Sequence, residues 1–197
     1  MHKIQIRPAC WEDRSPVEAL EARIKPYRPE EELQLEPMYA RALIAERLND
    51  PHWLPLPVSA PRLAPSKTDS FPEMDVLWVA IPEEGDSLLG IVGVPTFRYG
   101  EVIGLSHSLG QEWEDCSSIV ELRRLRVAPE WRRQGLGRQL CERVITWSIE
   151  HGYKILVVNT TTPQLPARQL YTSLGFRERG ISFIGRYELV WMELNLE

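Results

Sequence analysis

The run Ser118-Ile119-Val120-Glu121-Leu122-Arg123-Arg124-Leu125-Arg126-Val127 leads through Ala128-Pro129-Glu130-Trp131 into Arg132-Arg133-Gln134-Gly135-Leu136-Gly137-Arg138. The first part reads as a short apolar strand. The last part reads as a tight turn that opens an amphipathic helix. Two glycines at a helix start let the backbone come close to something bulky. The N–H groups of a first helical turn have no intrahelical acceptor, and the helix dipole adds about half a positive charge there. Flanking arginines supply full charges. The stretch is a built anion site, and a pyrophosphate fits it.

Two commoner phosphate loops fail on inspection. A Walker loop requires Lys and then Ser or Thr after its last glycine, but Arg138-Gln139 follows Gly137. A G-x-G-x-x-G dinucleotide fingerprint begun at Gly135 meets Leu140 where its third glycine belongs. What remains is R-x-x-G-x-G, as Arg132, Gly135 and Gly137. Downstream, Tyr153-Lys154-Ile155-Leu156-Val157-Val158-Asn159 reads as a buried strand. Then comes Pro166-Ala167-Arg168-Gln169-Leu170-Tyr171-Thr172-Ser173-Leu174-Gly175-Phe176, which contains A-x-x-L-Y-x-x-x-G-F. These strings resemble motifs A and B of the GNAT superfamily of N-acetyltransferases. They stand in the right order, at a spacing that fits one helix and one strand. The resemblance covers residues 75–180 well and the N-terminal third in outline.

That resemblance implies an α/β fold of the α+β type. Its mixed, mostly antiparallel central sheet is flanked by helices, with residues 118–127 and 153–159 as splayed parallel neighbours. It also implies acetyl-CoA as co-substrate, with its pyrophosphate on the glycine turn.

Composition bounds the rest. A chain of 197 residues is expected to form one domain, residues 1–197, with a Pro-rich insertion at about 50–72. No run of 18 apolar residues implies a membrane span. The N-terminus lacks the apolar stretch of a secretory signal. Cys10, Cys116 and Cys141 are scattered, which suits a reducing cytoplasm. No His or Cys spacing suggests a metal site. The net charge of −5 argues against general nucleic-acid affinity, although arginines cluster from Arg123 to Arg143.

Along the chain, residues 4–9 read as a strand, and Ser15-Pro16 as the cap and first position of a helix reaching about Ile24. Residues 30–49 carry a helical pattern, and prolines break 50–72 into a loop. Residues 75–81 and 88–94 read as a hairpin around Glu83-Glu84-Gly85-Asp86. Residues 95–116 are irregular. The helix from Leu136 to His151 places Leu136, Leu140, Val144 and Trp147 on one face and stops at Gly152. A helix at 164–174 and strands near 176–182 and 186–194 follow the 153–159 strand.

Acyl transfer to an amine needs a neutral amine, a stabilised carbonyl oxygen and a tolerated thiolate. With a pKa near 10, roughly one alkyl amine in a thousand is unprotonated at neutral pH. Glu121 is the first candidate for a base, since the resemblance carries onto it the glutamate that some relatives place eleven residues before the arginine of motif A. Period-two geometry, barring a bulge, sets Glu121 on one side with Arg123, Leu125 and Val127. Its alternative is a surface ion pair with Arg123 or Arg143. Glu112, Glu114 and Asp115 are rival acids. The resemblance makes Tyr171 the general acid and the backbone of Leu125, Arg126 and Val127 the holder of the thioester carbonyl and pantetheine arm. It assigns the pyrophosphate to Arg132, Arg133, Gln134, Gly135, Leu136, Gly137 and Arg138. Where relatives carry Asn three residues before the motif B alanine, this chain has Gln164; Asn159 is an alternative contact. Arg168 is a candidate for the 3′-phosphate, with a solvated helix position as its alternative.

The leading expectation is a cytoplasmic N-acetyltransferase that moves an acetyl group to a small-molecule or peptide amine by direct attack in a ternary complex. A homodimer is compatible with the family. Acidic loops at 83–86 and 112–115 would favour a cationic acceptor if they border the pocket. The alternative from another class is a non-catalytic acyl-CoA-binding sensor or partner module of the same fold. A nucleic-acid-binding domain built on the arginine cluster is a weaker third.

Overall fold

The computed structural model describes residues 3–24, 74–85, 87–95, 118–184 and 187–197. Its strands are β1 (Ile4–Pro8), β2 (Met74–Pro82), β3 (Gly90–Pro95), β4 (Ile119–Glu121), β5 (Arg123–Val127), β6 (Ile155–Thr161), β7 (Arg177–Ile184) and β8 (Tyr187–Asn195). Its helices are α1 (Arg14–Arg23), α2 (Leu136–Glu150) and α3 (Leu165–Ser173), with short 3-10 turns at Trp11–Asp13 and Pro129–Trp131. The expected patterns at 30–49, 50–72 and 95–116 lie outside the described residues.

The expected mixed, mostly antiparallel sheet is present, divided at its splay into two four-stranded sheets among the described residues. The first runs β1-β2-β3-β5 and is antiparallel throughout. The second runs β4-β6-β8-β7, with β4 and β6 parallel and the other pairs antiparallel. The division falls inside the stretch quoted at the outset. Residues 119–121 pair with 155–157, and the last tie is the Leu122 N–H to the Val157 carbonyl at 2.9 Å. From Arg123 onward the chain pairs with β3 instead. The expected splay is present, because β6 runs on to Thr161 while β5 has left it.

A bulge accompanies the change of sheet. Ile91 to Gly93 is two steps, whereas their partners Arg126 to Arg123 span three. The extra residue lies near Arg124, whose φ is +56°. A non-glycine residue there costs roughly 1–2 kcal/mol. The bulge shifts the inside-outside phase of the strand by one residue.

The main core lies between the two sheets and the pair α2 and α3. Trp78, Val92 and Val94 from the first sheet meet Val120, Leu122, Leu156, Val158 and Met192 from the second. Helix α2 adds Leu136, Leu140, Cys141 and Val144, the face its 3.6-residue period called for. Leu140 and Val144 are wholly buried, each contributing about 1.5–3 kcal/mol relative to exposure. Helix α2 stops at Gly152, whose φ of +76° only glycine adopts without strain. Helix α1 begins at Arg14, one residue before the expected Ser15 cap, so Pro16 still falls in the first turn, where its missing N–H costs nothing. It packs Val17 and Leu20 on the other face of the first sheet, against Leu77, Val79, Ile91 and Ala128. A third cluster, Ile119, Val157 and Trp191, lies on the face of the second sheet turned away from α2 and α3.

Candidate active site

The glycine turn has the shape its sequence implied. Arg133 has φ +63° and Gly135 has φ +84°, so the chain enters α2 through two left-handed residues. The first backbone bond of the helix is Gln139 N–H to Gly135 O at 3.1 Å. Among the described residues no backbone carbonyl takes the N–H groups of Arg133, Gln134, Gly135, Leu136, Gly137 or Arg138. Successive unpaired N–H groups around left-handed residues form an anion-binding concavity, so the turn fits a diphosphate. Leu136 contributes backbone only, since its side chain is core. A methyl placed on Gly137 would stand 3.4 Å from Leu170 and 3.8 Å from Val127, so the turn, α3 and β5 meet here.

Beside the turn runs the free edge of β5. Ala128 donates its N–H to Leu89 of the first sheet at 2.8 Å. Alternation along the strand then turns the N–H and C=O of Val127, and of Leu125 before it, to the opposite edge. That edge faces the gap that β6 leaves. Its carbonyls are taken by arginines: Arg132 Nε donates to Val127 O at 3.2 Å, and Arg126 Nη1 to Leu125 O at 2.9 Å. Donors are what the edge has left to offer.

Glu121 lies at the point of the gap and is 4% exposed. Arg123 Nε stands 2.9 Å from its Oε1, and Asn159 donates Nδ2–H to the same Oε1 at 2.9 Å. Burial pushes the carboxyl above the usual carboxylate range, and the Arg123 guanidinium opposes that rise. The ion pair with Arg123 was the alternative reading of this glutamate. That pair is present, buried on the glutamate side rather than on the sheet surface and half-exposed on the arginine side.

Tyr171 is buried against Phe176, ring centroids 5.6 Å apart, and belongs to the main core. Burial raises its phenol, so the hydroxyl keeps its proton at every pH of interest. It makes no side-chain hydrogen bond among the described residues. Glu121 shares its face of the second sheet with Val157 and Asn159, while Tyr171 packs with Val120, Leu156 and Val158 on the other. The expectation that Glu121 shares a side with Leu125 and Val127 is overturned by the Arg124 bulge. Glu121 and Arg123 share a side, but Leu125 and Val127 join the main core.

The other candidate contact residues make bonds within the protein. Arg138 Nη2 donates to Ser173 Oγ at 2.7 Å and lies in the corner between α2 and α3. Gln134 Nε2 donates to Glu130 O at 2.8 Å. Gln164 Oε1 accepts from Thr160 Oγ1 at 2.8 Å, which fixes the entry to α3. Arg168 is held by Glu178 at 2.6 Å. Glu112, Glu114 and Asp115 lie outside the described residues. The acids at 83–84 are far from Glu121. Leu89 bonds to Ala128 and Gly93 pairs with Arg123, so Glu83 and Glu84 lie beyond the diphosphate end of β5. There Glu84 lines a separate hollow of about 500 Å³ with Arg23, Glu130 and Trp131. Among the described residues no group of His, Cys, Asp and Glu is placed to hold a metal. None of the described helices is long and apolar enough to cross a membrane.

An anion-binding turn, a strand edge rich in donors and a buried carboxylate, set around one splay, define an acyl-CoA-dependent transferase fold. Comparison with known proteins gives the family. The model of the acetyltransferase (GNAT) family matches residues 45–176, and the chain belongs to that family, whose fold uses acetyl-CoA. Human N-acetylaspartate synthetase is 36% identical over 97 residues, 49% of this chain and 30% of that protein. Human N-acetyltransferase 8 is 37% identical over 122 residues, 59% of this chain and 43% of that protein. The matches thus span about a third to under half of these relatives' length. An acetyltransferase from Salmonella typhimurium, solved with acetyl-CoA, superposes with a TM-score of 0.56 at 18% identity, covering 98% of this chain and 94% of that one.

Proposed function

We propose that this chain acetylates a primary amine by direct attack on acetyl-CoA in a ternary complex, with Glu121 as base and Tyr171 as the donor toward sulfur. The observation that carries this reading is Glu121, a carboxylate sealed at the point of the splay. Bound acetyl-CoA supplies an activated acyl group on a thiol leaving group. The glycine turn holds the diphosphate through its unpaired N–H groups. The Leu125 and Val127 N–H groups then face the acyl carbonyl, and preorganised donors of this kind are worth about 3–4 kcal/mol of barrier in other enzymes. An acyl group threaded through the gap is approached by Glu121 on one face and Tyr171 on the other.

The two catalytic groups differ in kind. A raised carboxyl is a stronger base toward an ammonium, and positioned bases contribute about 10² to 10⁴ in rate. The phenol is raised as well, whereas a thiolate has a pKa near 8.5. Full proton transfer from Tyr171 to sulfur is uphill, so its role is a hydrogen bond to the departing sulfur. Neither described cysteine offers a competing nucleophile, and Cys116 lies outside the described residues. The Cys141 thiol is buried and pushed up to about 12, and Cys10 lies beside Asp13 on the α1 side.

The acceptor panel starts with aspartate, the product name of one set of relatives being N-acetylaspartate, and extends to other amino acids, polyamines and basic peptides. Thiol release from acetyl-CoA is followed for each. Turnover with one class, intersecting initial-rate lines, and loss of turnover in Glu121→Gln support the proposal. Tyr171→Phe is expected to slow the rate by about two- to tenfold, the worth of one hydrogen bond. Coenzyme A binding with no amine-dependent thiol release would leave the non-catalytic acyl-CoA module. Parallel lines would overturn direct attack.

A further inference from the structure

Asn159 is the strand-end residue that the sequence offered as a cofactor contact. Its placement points elsewhere. Position 159 pairs with Trp191 across β6 and β8, on the same face of the sheet as Glu121. The amide spends one N–H on Glu121 Oε1 at 2.9 Å. Arg123 Nε reaches the same oxygen at 2.9 Å from the other side. Two donors on one oxygen fix the plane of the carboxyl group. A carboxylate whose Oε1 already accepts from two donors is arranged to take a proton at Oε2.

We infer that Asn159 is a positioning residue, which clamps Oε1 of Glu121 so that Oε2 is aimed at the acceptor amine. The inference rests on Glu121 being the base. Among the described residues, these charged groups face it. Arg123 faces it from the same strand run. Glu193 on β8, opposite Val157, is tied to Arg179 at 3.1 Å. The remaining neighbours on that face, Ile119, Val157 and Trp191, are apolar. Removing the amide therefore takes away one of two donors to an ionised oxygen that apolar groups surround. Hydrogen bonds to the charged form favour it.

The test uses the full chain, with kcat/KM for the best acceptor measured across pH at saturating acetyl-CoA, and KM for acetyl-CoA measured separately. In Asn159→Leu the lower acid limb is expected to move up by about one to two pH units, the size of a lost charge-assisted hydrogen bond. Activity on the rising limb falls about tenfold or more and recovers as pH rises. KM for acetyl-CoA stays within about twofold. Asn159→Asp, nearly isosteric, moves the limb further, because a second carboxylate beside Oε1 resists ionisation of the first. It also carries the test if the leucine variant fails to fold. An unmoved limb in the folded variants, or a raised KM for acetyl-CoA at an unchanged limb, overturns the clamp and returns Asn159 to the cofactor. Glu121→Gln separates the two failures. If it removes the limb while the Asn159 variants do not move it, only the clamp falls; if it leaves rate and limb unchanged, the base assignment falls with it.

Discussion

Gly135 and Gly152 sit just outside the two ends of α2 and make a matched pair. Their φ values are +84° and +76°, and a methyl group added to either meets no atom within 4 Å. Alanine at both positions therefore introduces backbone strain without a steric clash. That strain is roughly 1–2 kcal/mol for an L-residue in the left-handed region. For a chain of this size it lowers Tm by about 2–8 °C if the fold bears it in full. Only at Gly135 does the backbone shape also aim N–H groups at a ligand. If the alanine turn relaxes to negative φ, acetyl-CoA must restore the strained form on binding. The same 1–2 kcal/mol then appears as a five- to thirtyfold rise in KM for acetyl-CoA. Gly152→Ala is expected to lower Tm alone. Differential scanning fluorimetry and thiol-release kinetics on the two variants read both quantities, and calorimetry with coenzyme A checks that KM follows affinity. Equal KM in both variants would refute the idea that the turn's conformation grips the diphosphate.

Glu121→Gln is expected to separate activity from stability. Turnover falls by about 10² to 10⁴. Because burial raises the folded pKa of Glu121, the stability it contributes is full below the unfolded carboxylate value near 4.3 and is lost as pH rises through the folded value. The glutamine variant does not titrate, so its Tm relative to the parent should improve from pH 4 to pH 7; a difference independent of pH would count against the buried charge. Cys141, with its thiol pushed up to about 12, should resist alkylation at pH 8 until the protein is unfolded. Exposed Cys10 should label in the native state, slowly, because Glu12 and Asp13 hold its proton; peptide mapping by mass spectrometry distinguishes them. Gly93→Ala would place a methyl 2.3 Å from Met74 Cε and 2.9 Å from the Val76 carbonyl. Overpacking of that kind costs about 1–3 kcal/mol, read as a shift in denaturation midpoint.

Much of the architecture was legible because it is local. The Gly135-Leu136-Gly137 turn, the spacing of Leu136, Leu140 and Val144, and the stops at Gly152 and Gly175 each obey rules that act over a few residues. The bulge at Arg124 was not legible. Arg123-Arg124-Leu125-Arg126 carries no glycine or proline to mark a left-handed residue. Arg124 meets Glu21 at 3.6 Å, and that partner belongs to α1, a hundred residues away. Phase beyond Arg123 was accordingly misread. The partners of Glu121 divide in the same manner. Arg123 could be named from its adjacency, whereas Asn159 required the parallel pairing of β4 with β6. The pairing of Arg168, offered as a candidate for the 3′-phosphate or as a solvated helix position, was not legible because Glu178 comes from a strand beyond its own helix.

Arg138 has a consequence for anyone recombining this chain with its relatives. The guanidinium that follows the diphosphate turn is bonded to the last turn of the tyrosine helix, at both Ser173 Oγ and Ser173 O, with Glu142 behind it. Leu170 meanwhile fills the space next to Gly137. The two motifs are parts of one corner, cut to fit each other, and they are separated in sequence by the whole of α2 and β6. A chimera that exchanges one and keeps the other would mismatch this joint, so crossovers belong outside residues 123–176, with that block moved as a single cassette.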